Sequence, residues 1–493
     1  MSTKFTVSVL VLATALTACG DGLTSKAKPE RLSGLLDGGI DAERQAALTT
    51  RFENAIANND VATALQAEFD GDSASDAPTV SLADTLQAAL ERNPEIGRAA
   101  QRINRADAER LNAIFGYLPQ LTASATYAQN EQEVIETDND VFQLGTASYP
   151  SLDAQVELRQ PIFDLGRIYG LKLSSAMRSS AEVEYIATVQ KVMYETFDTY
   201  LRAAQSRNRV TALQRRQGLI SRQLSAETTR ADAGISEESA KNALRIEVAN
   251  IGVDLSQERL RYNTALSDLA FLSGKRITNV TTLSTPAGVF GTERRVSAEA
   301  AIQTASKNNP ELLGSVIAVA EQDLRKRQAI SADFAPVLEA FARLQYEDRE
   351  ASRFGGGSTT MDTIYGVRLV VPLFNADGQG YSNLIARVDF RDALLQYFAQ
   401  KRQISADIYS THNRLGEISK SISESRRAVG GARALVNSER ALVEAGKSEE
   451  FLVAALQARE VQAQERVRYY ELEYLRAWGR FEYLSGMNLA EKL

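Results

Sequence analysis

Ala233-Gly234-Ile235-Ser236-Glu237-Glu238 returns as Ala445-Gly446-Lys447-Ser448-Glu449-Glu450. From there the two copies run without a gap to Leu272-Ser273-Gly274 and Leu484-Ser485-Gly486, at a constant offset of 212 residues. Upstream, Asn93-Pro94-Glu95 is repeated as Asn309-Pro310-Glu311, and Leu118-Pro119-Gln120-Leu121 as Ala335-Pro336-Val337-Leu338. Arg159-Gln160-Pro161-Ile162-Phe163-Asp164 is matched by Val370-Val371-Pro372-Leu373-Phe374-Asn375. A duplication this long means that each copy must meet the same packing demands.

The prolines show what each copy is built from. All ten lie before residue 373, and none falls between Pro161 and Pro286. The stretches 162–285 and 373–493 are therefore proline-free, and both are rich in Ala, Leu, Glu, Arg and Gln, which favour helix. Each is interrupted once by the Ala-Gly-x-Ser-Glu-Glu motif. Its Gly suits a left-handed helix end and its Ser suits the start of the next helix. The expectation is two long antiparallel helical hairpins, with arms of roughly 65 residues reaching about 100 Å at ~1.5 Å per residue. Leu244, Val248, Ile251, Leu255, Tyr262, Leu266 and Leu269 keep a coiled-coil spacing broken only at Glu258. Val467, Tyr470, Tyr474, Ala477, Phe481 and Leu484 keep it in the second copy. A second stripe, Ile246, Val253 and Leu260, predicts neighbours on both flanks of the first copy's helix.

Between the prolines the period switches to two. Leu121, Ala123, Ala125 and Tyr127 alternate with Thr122, Ser124 and Thr126; Leu152, Ala154, Val156 and Leu158 alternate with Asp153, Gln155, Glu157 and Arg159. In the second copy Leu338, Ala340, Ala342, Leu344 and Tyr346 alternate with Glu339, Phe341, Arg343 and Gln345, where Phe341 is the exception. Tyr365, Val367, Leu369 and Val371 form the fourth and weakest set. Segments of ~9–11 residues are long enough to cross a membrane as tilted strands. Taken singly, each also reads as a half-buried soluble strand; four in pairs between very long helices favour the membrane. Four strands cannot close a barrel, since the smallest membrane barrels use about eight and an open edge in lipid leaves backbone groups unpaired. The strands therefore imply an oligomer, without fixing its number.

The composition removes several other classes. A net charge of −7 argues against a nucleic-acid partner. One Cys and one His leave almost no room for Cys/His metal clusters or disulfide frameworks. The 63 Asp and Glu spread along charged helices read as solvated faces rather than acid pairs or carboxylate metal sites. His412, in the helical stretch Tyr409–Arg414, reads as a surface or packing residue. There is no nucleophile–base set and no nucleotide-binding Gly-rich loop, so neither an enzyme nor a cofactor is expected. At the N-terminus, Lys4 precedes an apolar run from Phe5 to Leu16, too short for the ~20 residues that span a bilayer. The run ends in Leu16-Thr17-Ala18-Cys19, which resembles a bacterial lipobox with Cys19 as the lipidated residue.

Together, the duplicated helix–strand–strand–helix unit, the Asn-Pro-Glu starts, Gln160-Pro161-Ile162-Phe163-Asp164-Leu165-Gly166-Arg167 with its twin Val371-Pro372-Leu373-Phe374, and the Gly-x-Ser-Glu-Glu tips resemble the TolC-like outer-membrane efflux protein family. The resemblance covers about residues 80–490. It implies a mainly α fold with a transmembrane β-barrel portion: a homotrimeric α-helical tunnel continuing a shared barrel in outer-membrane lipid. It also implies a periplasmic adaptor (membrane fusion protein) and an inner-membrane pump of the RND or ABC type. The expected organisation is a signal peptide at 1–18, a lipidated appendage at 19–78, a first repeat at 79–290 and a second at 291–493. Strands are expected at ~120–130, ~152–160, ~337–347 and ~363–371. Glu157, Arg159, Glu339 and Arg343 would face the pore; Leu152, Val156, Leu158 and Leu344 would face lipid. Residues 131–140 and 354–358 would be extracellular loops. The turns at Gly234 and Gly446 would form the periplasmic tip, with Glu237, Glu238, Glu449 and Glu450 as gate or adaptor contacts, or simply as first-turn acids. Many family members place an Asp just after the tip glycine; neither copy does so here. The function implied is the exit channel of a tripartite efflux system. A type I protein-secretion channel is the alternative within the family, and a periplasmic coiled-coil scaffold lipoprotein the alternative outside it.

Overall fold

The computed structural model describes residues 79–136, 145–281, 291, 295–351, 356–373 and 380–486. The signal peptide, Cys19, the appendage, residues 137–140 of the first expected loop and residues 354–355 of the second lie outside the described residues. Among the described residues the order is α1 (Leu82–Arg92), α2 (Pro94–Phe115), β1 (Gln120–Val134), β2 (Gly145–Asp164), α3 (Leu165–Asp232) and α4 (Glu238–Ser273), then α5 (Ala298–Asn308), α6 (Pro310–Phe334), β3 (Val337–Arg349), β4 (Ser358–Val370), α7 (Tyr381–Glu444) and α8 (Glu450–Leu484). The same sequence of elements occurs twice. No helix among the described residues is long and apolar enough to cross a membrane.

Each repeat opens as its caps dictate. Ser81 Oγ accepts from the Asp84 backbone N–H at 3.1 Å while the Asp84 carboxylate accepts from the Ser81 N–H at 3.3 Å, a closed capping box. The Ser81 side-chain and backbone hydrogen bonds hold the Asp84 carboxyl below its ordinary pKa. Ser297 caps α5 through the Ala300 N–H at 3.2 Å. Asn93 and Asn309 are held extended because a residue before proline is excluded from the helical region. Their side chains then do a second job. The Asn93 amide donates to the Leu272 carbonyl at 3.0 Å, and the Asn309 amide donates to the Leu484 carbonyl at 3.0 Å. The Asn-Pro-Glu motif thus ties the start of each repeat to its last helix.

The described residues fall into two compact units, one within Met1–Asn93 and Glu195–Ser284, the other within Pro94–Tyr194 and Thr285–Leu493. In the first, α4 buries Ile251, Leu255, Leu266 and Leu269 of the predicted stripe and leaves Leu244, Val248 and Tyr262 half-buried. Glu258, the break in that stripe, is buried as well and pairs with Arg261 at 3.1 Å and Arg209 at 3.6 Å. In the second unit, α7 and α8 lie side by side, joined by Arg414–Glu473 and Arg426–Glu471 at 2.8 Å and Arg433–Glu460 at 3.3 Å.

The repeats share one further tie. Tyr200 donates to the Val80 carbonyl at 3.1 Å and accepts from the Thr281 N–H at 3.1 Å, bracing the parallel bridge Val80–Val280. At the equivalent step of the second repeat stands His412, whose Nε2 lies 3.2 Å from the Val296 carbonyl oxygen. The lone histidine is therefore a packing residue, set against Phe481 at 6.0 Å between ring centroids.

Candidate functional site

Each strand alternates, and antiparallel pairing keeps equivalent faces together. The four strands form one sheet in chain order, β1-β2-β3-β4, every neighbour antiparallel. Val156 lies opposite Ala123 and Leu344, and Leu158 opposite Leu121 and Ala342. On the same face Tyr127 pairs with Leu152, Tyr365 with Ala342 and Val367 with Ala340. Leu152, Val156, Leu158 and Leu344 are thus neighbours on one apolar face. It is also an open one: Leu121 is 65 % exposed, Val367 64 % and Tyr365 81 %. Exposed apolar patches of this extent are rare on monomeric soluble proteins and mark a surface made for lipid or protein.

The opposite face carries the charges, and they are paired. Glu157 is buried between Arg159 at 2.8 Å and Arg343 at 3.2 Å. Glu339 meets Arg368 at 3.0 Å, and the Gln345 amide donates to Asp153 at 2.7 Å. The structure therefore brings Glu157, Arg159, Glu339 and Arg343 onto one face. Arg368 and Asp153 complete that network. Alternation along one strand does not reveal such partners, since partnership depends on strand register. Phe341, the exception in its strand, faces the charges. Its ring covers Gly366, where an added Cβ would lie 3.4 Å from it, and the Arg368 guanidinium sits 4.9 Å from its centroid. The glycine leaves the ring room to lie flat on the neighbouring strand.

The strands run for 15, 20, 13 and 13 residues, further than the alternating cores alone. Glu131–Val134, expected in a loop, continue β1, and Ser358 begins β4, because pairing with Gly145–Ser148 and Arg349 carries the ladders past the alternating segments. Thirteen residues at ~3.3 Å each span about 43 Å, longer than the ~25 Å apolar band of a membrane barrel. At the other end the Gln160–Arg167 motif makes the turn into helix. The register shifts between Pro161 and Phe163, as suits a residue with no N–H to donate. Asp164 then accepts from the Arg167 N–H at 3.1 Å and pairs with its side chain at 3.0 Å, capping α3.

The helical turns are nearly superimposable in chemistry. Gly234 and Gly446 have φ of +73° and +70°, a left-handed conformation open to glycine at little cost. Gly234 N–H donates to Ala231 and Ile235 N–H to Arg230, both at 2.9 Å; Gly446 N–H donates to Val443 at 2.9 Å and Lys447 N–H to Leu442 at 2.8 Å. These paired bonds satisfy the last carbonyls of α3 and α7. The helices that follow do not start on serine as the motif suggests. Their N-caps are Glu237 and Glu449, with no side-chain capping bond, because the two serines are engaged elsewhere. Ser236 Oγ binds the Glu227 carboxylate and Ser448 Oγ binds that of Glu439. Glu238 and Glu450 sit in the first turns, where carboxylates complement the helix dipole, and Glu238 pairs with Lys241 at 2.6 Å. Glu227 and Glu439 escaped the sequence reading, although each stands nine residues before its serine. No group of His, Cys, Asp and Glu that could hold a metal occurs among the described residues.

Residues 85–275 match the family model for outer membrane efflux proteins. No curated protein matches the chain. Among solved structures, the fold is similar to the CmeC outer membrane channel of Campylobacter jejuni, with a TM-score of 0.66 at 14 % identity over 82 % of this chain and 85 % of that one. The outer-membrane channel OprN gives 0.68 at 15 % identity, over 83 % of this chain and 90 % of the other. The outer membrane protein VceC from Vibrio cholerae gives 0.64 at 16 %, over 83 % and 96 %. At such identities the likeness is one of fold: long helices with a small antiparallel sheet.

Proposed function

We propose that the chain, whose residues 85–275 match the family model for outer membrane efflux proteins and whose fold is similar to solved outer membrane channels, is the outer-membrane exit channel of a tripartite efflux system. The observation that carries this reading is the sheet. One face is apolar and open, the other charged and internally paired, and β1 and β4 leave its two edges unpaired among the described residues. In lipid each unpaired backbone group would cost several kcal/mol, so the edges must meet other copies. Three copies would close a twelve-stranded barrel with the Glu157, Arg159, Glu339 and Arg343 face toward water and the Leu152, Val156, Leu158 and Leu344 face toward lipid.

In this reading the protein is a passive conduit. Paired charges on the bore face give a wet lining without a strong field of one sign, which suits cargo of varied charge. The energy comes from an inner-membrane pump, and a periplasmic adaptor docks at the helical tips. Cys19, when lipidated, anchors the chain to the outer membrane, while the helices extend into the periplasm. Detergent-purified protein should be trimeric and should give single-channel conductance in planar bilayers. Val156→Arg and Leu158→Arg should each cost ~2–4 kcal/mol near mid-bilayer and lower the yield of membrane trimers. A protein that is monomeric and folded in plain buffer after Cys19→Ala, or trimer yields untouched by both arginines, would overturn the proposal.

A further inference from the structure

The two hairpins of the sheet share a register as well as a strand pattern. The duplication sets Gln120 of β1 where Val337 stands in β3, and Arg159 of β2 where Val370 stands in β4. Gln120 pairs with Arg159, and Val337 pairs with Val370. Further out, Tyr127 pairs with Leu152, and their equivalents Leu344 and Thr363 pair as well. One rule of correspondence therefore carries the first hairpin onto the second along the whole of the shorter ladder, although the side chains differ.

The step between the hairpins, from β2 to β3, has no counterpart among the described residues. Its equivalent would run from β4 to β1, and those strands are the two open edges of the sheet. All four strands belong to one compact unit. Four antiparallel strands leave the edges running in opposite directions, as a further antiparallel pair requires. Both edges are bare: Tyr127 is 72 % exposed on β1, and Leu369 63 % on β4.

We infer that β4 of one copy pairs with β1 of the next in the register that β2 and β3 use within the chain. There Val156 lies opposite Leu344, and Leu158 opposite Ala342. The same correspondence turns these into Val367 opposite Tyr127 of the next copy and Leu369 opposite its Ala125. The new ladder runs from Val370–Ser124 at the helical end to Thr360–Val134 at the outer end. Apolar residues then meet apolar ones, whereas a slip of one residue would set Val367 against Thr126 or Ala128, on the face that carries the charges. Every hairpin meets the next with the same stagger, so the strands keep one tilt around the wall, as closure demands. The Arg343–Glu157 ion pair that crosses β2 and β3 has Arg368 beside Thr126 as its counterpart, so the seam between copies rests on backbone bonds and apolar contacts. The inference rests on the conduit reading proposed above and adds the residues at which copies join.

Four cysteine substitutions, combined in crossed pairs, test this in the full chain, oxidised with copper phenanthroline in membranes of producing cells. Tyr127→Cys with Val367→Cys, and Ala125→Cys with Leu369→Cys, share the inferred register. Each should give a disulfide-linked trimer on a non-reducing gel. Within one chain the two cysteines lie on opposite edges of the sheet, roughly 14 Å apart at ~4.8 Å per strand, so only neighbouring copies can be joined. Ala125→Cys with Val367→Cys, and Tyr127→Cys with Leu369→Cys, are displaced by two residues. Their side chains would lie roughly 7–8 Å apart and should link about tenfold less. A chain carrying only Cys19 can link at most in pairs, so the unsubstituted protein should give no linked trimer. Displaced pairs that link as well as the registered ones, or no linked trimer from either registered pair, would overturn the inference. Planar-bilayer conductance of the unsubstituted protein separates the two levels. Conducting trimers without a registered link sink the register alone, whereas absent trimers and conductance sink the conduit reading and the inference with it.

Discussion

Leu260 and Leu472 occupy the same step of the two repeats, 212 residues apart, yet the first is 69 % exposed and the second 5 %. The helices that carry them keep the same apolar spacing and differ in how many sides are covered. α4 buries one stripe and leaves the parallel row Ile246, Val253 and Leu260 open. From Glu471 to Leu484, α8 buries almost every face, Trp478 and three glutamates included. A charged residue in such a place needs a partner. Glu471 has Arg426 at 2.8 Å and Arg468 at 3.0 Å; Glu473 has Arg476 at 2.7 Å and Arg414 at 2.8 Å. Apolar period therefore locates a helix's main seam but says little about how many neighbours crowd its other faces.

That asymmetry can be broken experimentally. Leu472→Ala should cost about 2–5 kcal/mol as a buried truncation, and Leu260→Ala less than about 0.5 kcal/mol, read from thermal unfolding followed by circular dichroism. Equal losses would mean that Leu260 is covered by another copy in the working assembly, and that the contrast belongs to the single chain. The glycines closing the two repeats come next. An added Cβ on Gly486 would lie 2.5 Å from the backbone of Asn308 and Asn309, whereas on Gly274 it would meet the Arg92 Cβ at 3.2 Å. Both have positive φ, so Gly274→Ala should cost about 1–2 kcal/mol of backbone strain. Gly486→Ala should add a collision worth a further ~1–3 kcal/mol. If the two substitutions cost the same, the tighter closure of the second repeat is wrong.

Smaller effects sharpen the comparison. Glu471→Ala leaves Arg426 and Arg468 without their shared carboxylate, but both arginines are more than half exposed. The loss should therefore be about 1–2 kcal/mol rather than that of a fully buried pair. It should exceed the loss from Glu247→Ala on α4, which pairs with Arg216 at 2.7 Å. Last, Tyr200→Phe should cost about 0.5–1.5 kcal/mol for the bonds to Val80 and Thr281. His412→Phe gives up the 3.2 Å contact with the Val296 carbonyl while keeping a ring against Phe481, and should cost less. The reverse order would show the histidine to be the more important brace.

Much of the fold was legible because its signals are local. The tip glycines and the alternation in all four strands each depend on residues a few positions apart. The face assignment followed with them, since a strand's period of two leaves only two faces to choose from. The serines of the tips were misread for an instructive reason. Ser before Glu-Glu is a sound capping signal, but Glu227 and Glu439 compete for the same hydroxyls from the preceding helix. Nothing in the motif itself reports a carboxylate nine residues upstream that has folded back beside it.

The chain by itself determined the duplication, the two helical hairpins, the four alternating strands and the faces of each strand, although the second arms of the hairpins run for 36 and 35 residues rather than the expected ~65. These follow from backbone geometry and the hydrophobic period, which act over one or two turns of chain. Tertiary structure alone decided who meets whom. Arg343 reaches Glu157 across 186 residues, Asn93 reaches Leu272 across 179, and the glutamates of α8 are buried where the period would leave them in water. Such pairings depend on register and on the crowding of neighbouring elements, and those quantities exist only once separate segments have come together.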